Sequence, residues 1–441
     1  MTEPADVPPA GDGVAATRVT GMGAYRRLLV ATGAANLADG LQVVAVPWLA
    51  SVLTRDPVQI ALVTAATRIP WLLFSLPVGA ITDRFDRRRL IAWADTARTG
   101  LLLAFALLLA LTGPDGTGDP TPAGLLLAGL YVLALLVGLA EVVSDNSSQT
   151  LIPSIVPRER LETANGRLWA AETVANQFVG PPLAGLLIAA GMALPFFVGA
   201  GSFALAAAVV FTIAGHFRAP AGDGPRAGLR REIAEGFRWL WRHRLLRSLA
   251  ISLGVLNASS ALATAVFVLF GQEVAGLDAA PFGLLMTGSA IGAVIGSFIA
   301  PWLTRRIRSG TALAVSVVVM ALSDGLIGLM SAFWPLWSAT LVAGVFIVVW
   351  NVITVSLRQS LIPDRLLGRV NSVYRFFGWG TIAIGTLLGG LLVAAMEPMV
   401  GREWALRAPF LVAGVVQLAL LVWAWPRIGN VQIDRARAGS A

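Results

Sequence analysis

Apolar residues run through this chain in long stretches, with the polar residues gathered between them. Twelve stretches reach the ~20 predominantly apolar residues that a helix needs to cross a bilayer. They cover 28–53, 58–80, 90–112, 123–145, 166–190, 195–215, 247–270, 281–303, 311–331, 336–357, 372–395 and 407–426. A longer period lies over this one. Gln149-Thr150-Leu151-Ile152-Pro153, after the fourth stretch, returns as Gln359-Ser360-Leu361-Ile362-Pro363 after the tenth. Each copy leads through a short Arg-containing loop to Asn165-Gly166 or Asn371-Ser372, then to a Gly-rich apolar helix reaching Gly185 or Gly390. The order of these features implies a duplicated half. The expected fold is an all-α membrane protein of twelve transmembrane helices in two parallel six-helix repeats, the frame in which one class of transporter sets a site between its halves.

The expected divisions follow. Residues 1–24, rich in Pro, Gly and acids, read as a disordered cytoplasmic tail without a cleavable signal. Two six-helix bundles, 25–215 and 247–426, flank a cytoplasmic linker at 216–246, and 427–441 form a second cytoplasmic tail. In the linker, Ile233, Phe237, Leu240 and Trp241 recur at helical spacing, while Arg230, Arg231, Arg238 and Arg242 take other faces. That pattern predicts an interfacial helix.

Composition narrows the class. With 56% hydrophobic and 13% charged residues among 441, too little polar surface exists to cover a soluble globule. All 33 basic residues are Arg. Arg55, Arg402 and Arg407 fall in outer loops and Arg68 and Arg98 in spans; the rest lie on the other side, which places both termini in the cytoplasm of a multi-pass inner-membrane protein. The net charge of +8 then faces anionic headgroups, and no nucleic-acid partner is implied. Cys is absent, and His216 and His243 both sit in the linker, so no metal, cofactor or histidine proton relay is supported. No phosphate-binding loop, nucleophile elbow or zinc-protease helix is present. The chain reads as no enzyme, with transport driven by a gradient.

Between the second and third spans stands Gly79-Ala80-Ile81-Thr82-Asp83-Arg84-Phe85-Asp86-Arg87-Arg88-Arg89. It resembles the Gly-x-x-x-Asp-Arg-x-Gly-Arg-Arg signature of the major facilitator superfamily, with Asp86 where that family usually has Gly. Asn36-Leu37-Ala38-Asp39-Gly40-Leu41, Pro47-Trp48, Arg68-Ile69-Pro70 and Ala94-Asp95-Thr96-Ala97-Arg98 resemble the drug/proton antiporter branch, which includes macrolide, tetracycline and siderophore exporters. The resemblance implies a cytoplasmic gate built on Gly79, Asp83, Arg84, Arg87 and Arg88. In it Asp83 caps the eleventh helix near Asn371, and Arg84 pairs with Glu141 or Asp145. Gly180-Pro181-Pro182-Leu183-Ala184-Gly185 is similar to the Gly-Pro-x-x-Gly-Gly motif of antiporters, with Ala184 departing; Gly180, Pro181 and Gly185 carry the likeness.

Ionisable groups within spans persist only with a partner or water. Asp39 lies twelve residues beyond Arg27, ~18 Å along its helix, and Arg68 lies ~22 Å from Asp83, so the two are expected to pair near mid-membrane. Asp39 is then either a proton acceptor or half of a permanent ion pair. Glu141 and Asp145 share a helical face and repel when both are ionised; Glu141 reads as coupling acid or as the partner of Arg84. Asp95 and Arg98 read as a local pair near the cytoplasmic end, Glu172, Asn176 and Gln177 as a wet wall, and Asp324 as a packing-satisfied acid. Asn351, Arg358 and Arg375 mark the second half's counterpart of the gate. Asn36, Gln42, Asn257, Asn351 and aromatics including Trp48, Trp350 and Phe376 suit a cavity for a medium-sized amphipathic molecule.

The expected function is secondary active export of such a molecule, a drug, antibiotic or siderophore-like compound, by proton-coupled alternating access. Its partners are a small-molecule substrate, protons and membrane lipids, and the chain acts as a monomer. A lipid or lysolipid flippase or an importer of the same fold is the alternative within transport, and a non-transporting receptor or scaffold the alternative outside it.

Overall fold

The computed structural model describes residues 22–82, 85–113, 122–157, 160–215, 217–218 and 229–438. All regular structure among them is helical, as a bilayer demands when every backbone polar group must be satisfied within its own segment. Twelve helical segments are long and apolar enough to cross a membrane, matching the expected number and order.

The first half comprises α1 (Met22–Leu53), α2 (Pro57–Thr82), α3 (Arg87–Thr112) and α4 (Ala123–Ile155), then α5 (Leu161–Thr173), which runs through a π-helical turn at Val174–Val179 into α6 (Gly180–Ala190), and α7 (Leu194–Phe211). The linker helix α8 (Leu229–Arg242) follows. The second half holds α9 (Arg244–Thr264), the short α10 (Phe267–Leu269) with a π-helical turn at Phe270–Val274, α11 (Ala279–Arg306), α12 (Ser309–Leu329), α13 (Phe333–Leu361), α14 (Asp364–Val400) and α15 (Arg402–Ile428).

The packing repeats between halves. α3 packs on α4 and α7, as α12 packs on α13 and α15; α1 packs on α7 as α9 does on α15. Across the halves, α2 lies against α14 and α6 against α11. Each pair joins the second span of one half to the fifth of the other, the signature of a two-fold arrangement of equivalent bundles.

One expectation about an end is corrected: α14 begins at Asp364 instead of near 372, because its backbone hydrogen bonding continues through a charged turn that hydropathy leaves out. A further helix, α16 (Asn430–Ala438), lies within the expected C-terminal tail. Asn430 holds it to the start of α12, accepting from the Thr311 backbone N–H at 3.2 Å and donating to Thr311 Oγ1 at 2.8 Å. Ile433 is buried beneath it and Asp434 pairs with Arg308. The linker helix is present as expected, with Phe237 stacked on Trp241 and Leu240 buried.

Apolar packing differs between the two ends of the molecule. At the end away from the termini, one cluster draws on both halves, including Trp48, Phe196, Phe270, Phe282 and Phe410. At the terminal end there are two separate clusters. Leu28, Ile91, Ile152 and Val210 belong to one, within the first half; Leu246, Ile353, Tyr374 and Ile428 belong to the other, within the second. The halves are therefore joined at the far end and parted toward the terminal end, where Glu172, Gln177 and Asn351 are exposed.

Candidate functional site: a buried ion-pair junction beside the cross-half contact

α1, α3, α4 and α7 meet around Arg98. Its side chain is 1% exposed, and in so apolar a place a guanidinium needs anions and a polarisable surface. Nη2 binds Asp39 Oδ1 of α1, Nη1 lies 3.5 Å from Asp95 Oδ1 one turn earlier on α3, and the guanidinium carbon sits 3.9 Å from the Phe203 ring centroid on α7. Ser144 of α4 donates to Asp95 Oδ1 at 3.2 Å. The two acids are not equivalent, since Asp95 is 2% exposed and Asp39 18%. Asp39 is the more accessible of the two.

This arrangement corrects the expected Asp39–Arg68 pair. Arg68 turns to the other half, where its guanidinium carbon lies 5.6 Å from the Trp379 centroid, and Trp71 stacks on the same ring at 5.3 Å. Arg68 still acts on Asp39 at longer range, as does Glu141. The Asp95–Arg98 contact exists as expected, but it belongs to the buried junction rather than to a surface pair. Arg98, the residue on which the site turns, went unrecognised as Asp39's partner.

Glu141, Asp145 and Glu172 lie near this junction, each within Coulombic reach of the next. Among the described residues Glu141 has neither a hydrogen bond nor an ion pair. Asp83 and Arg84 lie outside the described residues, as do the side chains of Arg375 and Phe376. The rest of the gate motif is anchored within the first half: Arg87 donates to Thr150 O at 2.9 Å and Ser154 Oγ at 3.2 Å, and Arg88 to Ile213 O at 2.5 Å. Asp86, the departure from the family pattern, caps α3 by accepting from Arg89 N at 3.0 Å and holds Phe217 N at 2.8 Å.

The Gly180-Pro181-Pro182-Leu183-Ala184-Gly185 segment forms one of the contacts between halves, that of α6 with α11. A Cβ on Gly185 would stand 2.4 Å from Ala279 O of α11, and one on Gly283 2.4 Å from Pro181 O. Only residues without a side chain allow backbones this close. Gly40, next to Asp39, is pressed equally tightly on the π turn, where a Cβ would meet Asn176 O at 2.4 Å. Beyond these contacts the far end closes on ion pairs. Arg402 binds Glu273 at 2.8 Å, Glu397 at 2.9 Å and Arg55 O at 2.7 Å, while Arg55 donates to Gln272 Oε1 at 2.5 Å.

The other cavity candidates divide. Asn36 bonds back to Thr32 O at 3.0 Å. Gln42 is directed at Gly199 of α7, into the bundle and away from the space between halves, which corrects its assignment to the cavity. Asn257 and Asn351 do line a cavity, within the second half, in which Trp350 and Asp324 also take part. Asp324, expected to be a packing-satisfied acid, accepts from Gln417 at 2.7 Å and also lines this cavity.

A family model described as transmembrane secretion effector matches residues 20–433. The chain belongs to that family, within the major facilitator superfamily. It is 28% identical over 411 residues, 90% of this chain and 92% of the relative, to the enterobactin exporter EntS of Escherichia coli O127:H6. The same identity and coverage relate it to the enterobactin exporter of Shigella boydii serotype 18. Among solved structures, the nucleoside transporter NupG superposes with a TM-score of 0.75 at 13% identity, covering 92% of this chain and 99% of that one. A bacterial homologue of the iron transporter ferroportin, in an inward-facing state, gives 0.66 at 19%, covering 90% and 98%. These two show the fold. This member of the secretion effector family is a multi-pass membrane transporter of small molecules, not an enzyme, and efflux fits its exporter relatives.

Proposed function

We propose that this transporter exports an amphipathic, siderophore-like or drug-like molecule across the inner membrane in exchange for protons, with Asp39 as the proton acceptor. The terminal end, rich in Arg, faces the cytoplasm. The observation that carries the reading is the asymmetry around Arg98: one buried cation and two acids, of which Asp39 is partly accessible and Asp95 is not. Neutralising Asp39 leaves Arg98 balanced by Asp95, so a proton frees α1 from α3 without stranding the guanidinium.

The release has a route to the gate. Gly40 adjoins Asp39 and abuts the π turn leading into α6, whose Gly185 packs on α11 of the other half. A small displacement of α1 is thereby felt at the contact that holds the far end shut. π turns sit at functional positions in many helices because one unpaired backbone step permits such a shift. Glu141, Asp145 and Glu172 give protons a path toward the cytoplasmic space. Two glycine-lined contacts and separately packed terminal clusters are the rigid parts that alternating access requires.

Inside-out vesicles containing the chain, energised with an acidic interior, test the reading. Substrate accumulation should collapse when the proton gradient is dissipated. Asp39→Asn should lose gradient-driven accumulation by at least about tenfold and still permit downhill substrate movement. Undiminished coupled transport in Asp39→Asn would overturn the assignment of the proton site; labelled lipid moved in proteoliposomes without substrate export would favour the flippase alternative. The enterobactin exporters among its relatives make enterobactin the first compound to assay.

A further inference from the structure

The second half encloses a chamber that the transport cycle above does not use. α9, α11, α12, α13 and α15 surround a cavity of about 350 Å³, within the lower part of the roughly 300–1,000 Å³ range of small-molecule sites. Among the described residues, Asp324 is the only ionisable side chain in its wall and no Arg lies within ion-pair distance of it. Gln417 Nε2 bridges Asp324 Oδ2 at 2.7 Å and Ser259 Oγ at 3.2 Å, which leaves Gln417 Oε1 buried without a partner. Phe267, Trp350 and Phe410 supply aromatic surface to the same wall.

The two halves solve the same packing problem differently at this point. By order in the repeat, α12 answers α3, α15 answers α7 and α9 answers α1. In the first half that junction is filled by Arg98, held by acids and laid on an aromatic ring. In the second half α12 carries its acid, Asp324, about one turn further along the helix than Arg98 stands on α3, and aromatic side chains and a chamber lie beside it. A carboxylate and ring faces together favour a cation, through charge and the ring quadrupoles. An anion would meet the charge of Asp324 in a poorly screened place. Asn351 lines the chamber and is itself exposed, which gives a ligand access from outside the bundle.

We propose that this chamber is a binding site for a small organic monocation of about the size of phenethylammonium, with its ammonium on Asp324 and its apolar end against the aromatic wall. The site is separate from Asp39, and its occupancy does not depend on the proton exchange proposed above.

Equilibrium binding of radiolabelled phenethylammonium to the full chain in lipid nanodiscs tests this. Saturable binding is expected, and 2-phenylethanol, nearly the same shape without the charge, should not compete at a tenfold excess. Asp324→Asn should weaken binding at least about tenfold. Ile327→Trp, which fills the chamber and keeps the carboxylate, should abolish it, whereas Asp39→Asn should leave it unchanged. Absence of saturable binding to the unaltered chain, or equal competition by the alcohol, overturns the proposal even where a variant fails to fold. So does wild-type affinity in a folded Asp324→Asn, and a loss of binding in Asp39→Asn would move the cation to the first half's junction.

Discussion

Gly180 rests directly on Gly40: a Cβ placed on Gly180 would lie 2.6 Å from the Cα of Gly40. Both partners are backbone, so no side chain can rotate out of the way. The residue that accepts Arg98 is thus one position from the tightest contact between α1 and the fifth span.

Gly180→Val tests whether that contact matters. Overpacking of this kind costs about 1–3 kcal/mol, so the variant should fold with a lowered melting temperature. Its transport rate per folded molecule should fall by at least about tenfold, a rate normal for the melting loss being the contrary result.

Arg98→Ala strands Asp39 and Asp95 at a buried junction. Removing one partner of a buried pair destabilises by about 3–5 kcal/mol. The variant should melt far below the parent in detergent, and Arg98→Ala with Asp39→Asn and Asp95→Asn should recover part of the loss. No recovery would mean that the acids are not what Arg98 serves.

At the far end, Arg402→Ala removes pairs with Glu273 and Glu397. Partly exposed pairs contribute up to about 1 kcal/mol each, so opening of this end should become on the order of tenfold more frequent. Because the chain has no Cys, Ser51→Cys, buried and in contact with Gln272 in the parent, is a clean reporter. Its labelling by an impermeant maleimide should accelerate by that factor.

Asp86→Ala removes both the α3 cap and the bond to Phe217. A lost cap costs about 0.5–2 kcal/mol, and a fall in thermal stability of that size, without loss of substrate binding, is expected. The unusual residue of the motif is thus explained as a local fastening of the chain that follows α7.

His243 caps α9 by accepting from Leu246 N at 3.3 Å, and burial lowers its pKa below the ordinary imidazole value of about 6.5. The folded chain therefore holds the neutral ring when the unfolded chain has begun to protonate. Stability from this group is complete above about pH 6.5 and declines as the pH falls below it. Melting temperatures measured downward from neutrality should fall less steeply in His243→Asn, which keeps an acceptor and cannot titrate.

The sequence disclosed the frame because lipid imposes it: length and apolarity sufficed for twelve spans, and the Gln-x-Leu-Ile-Pro repeat for two halves. Depth along a helix was legible too, but facing was not. Asp39 was placed near mid-membrane, and counting from the start of α3 at Arg87 puts Arg98 ~17 Å deep, almost level with it. Arg68 was chosen because α2 adjoins α1 in the chain; which face α3 turns to α1 depends on tertiary packing against Phe203 and Ser144. The facing of Gln42 is illegible in the sequence for the same reason. A polar residue in a span reveals that it needs a partner, and not whether the bundle or a cavity provides it.

The unequal packing of the two ends has an energetic meaning for loading. The glycine contacts and the Arg402 network concentrate the stabilisation that joins the halves at the far end, while the terminal clusters pack separately. Under the proposed export, a cargo would enter from the side where the halves pack apart, and its release would require these far-end contacts to part.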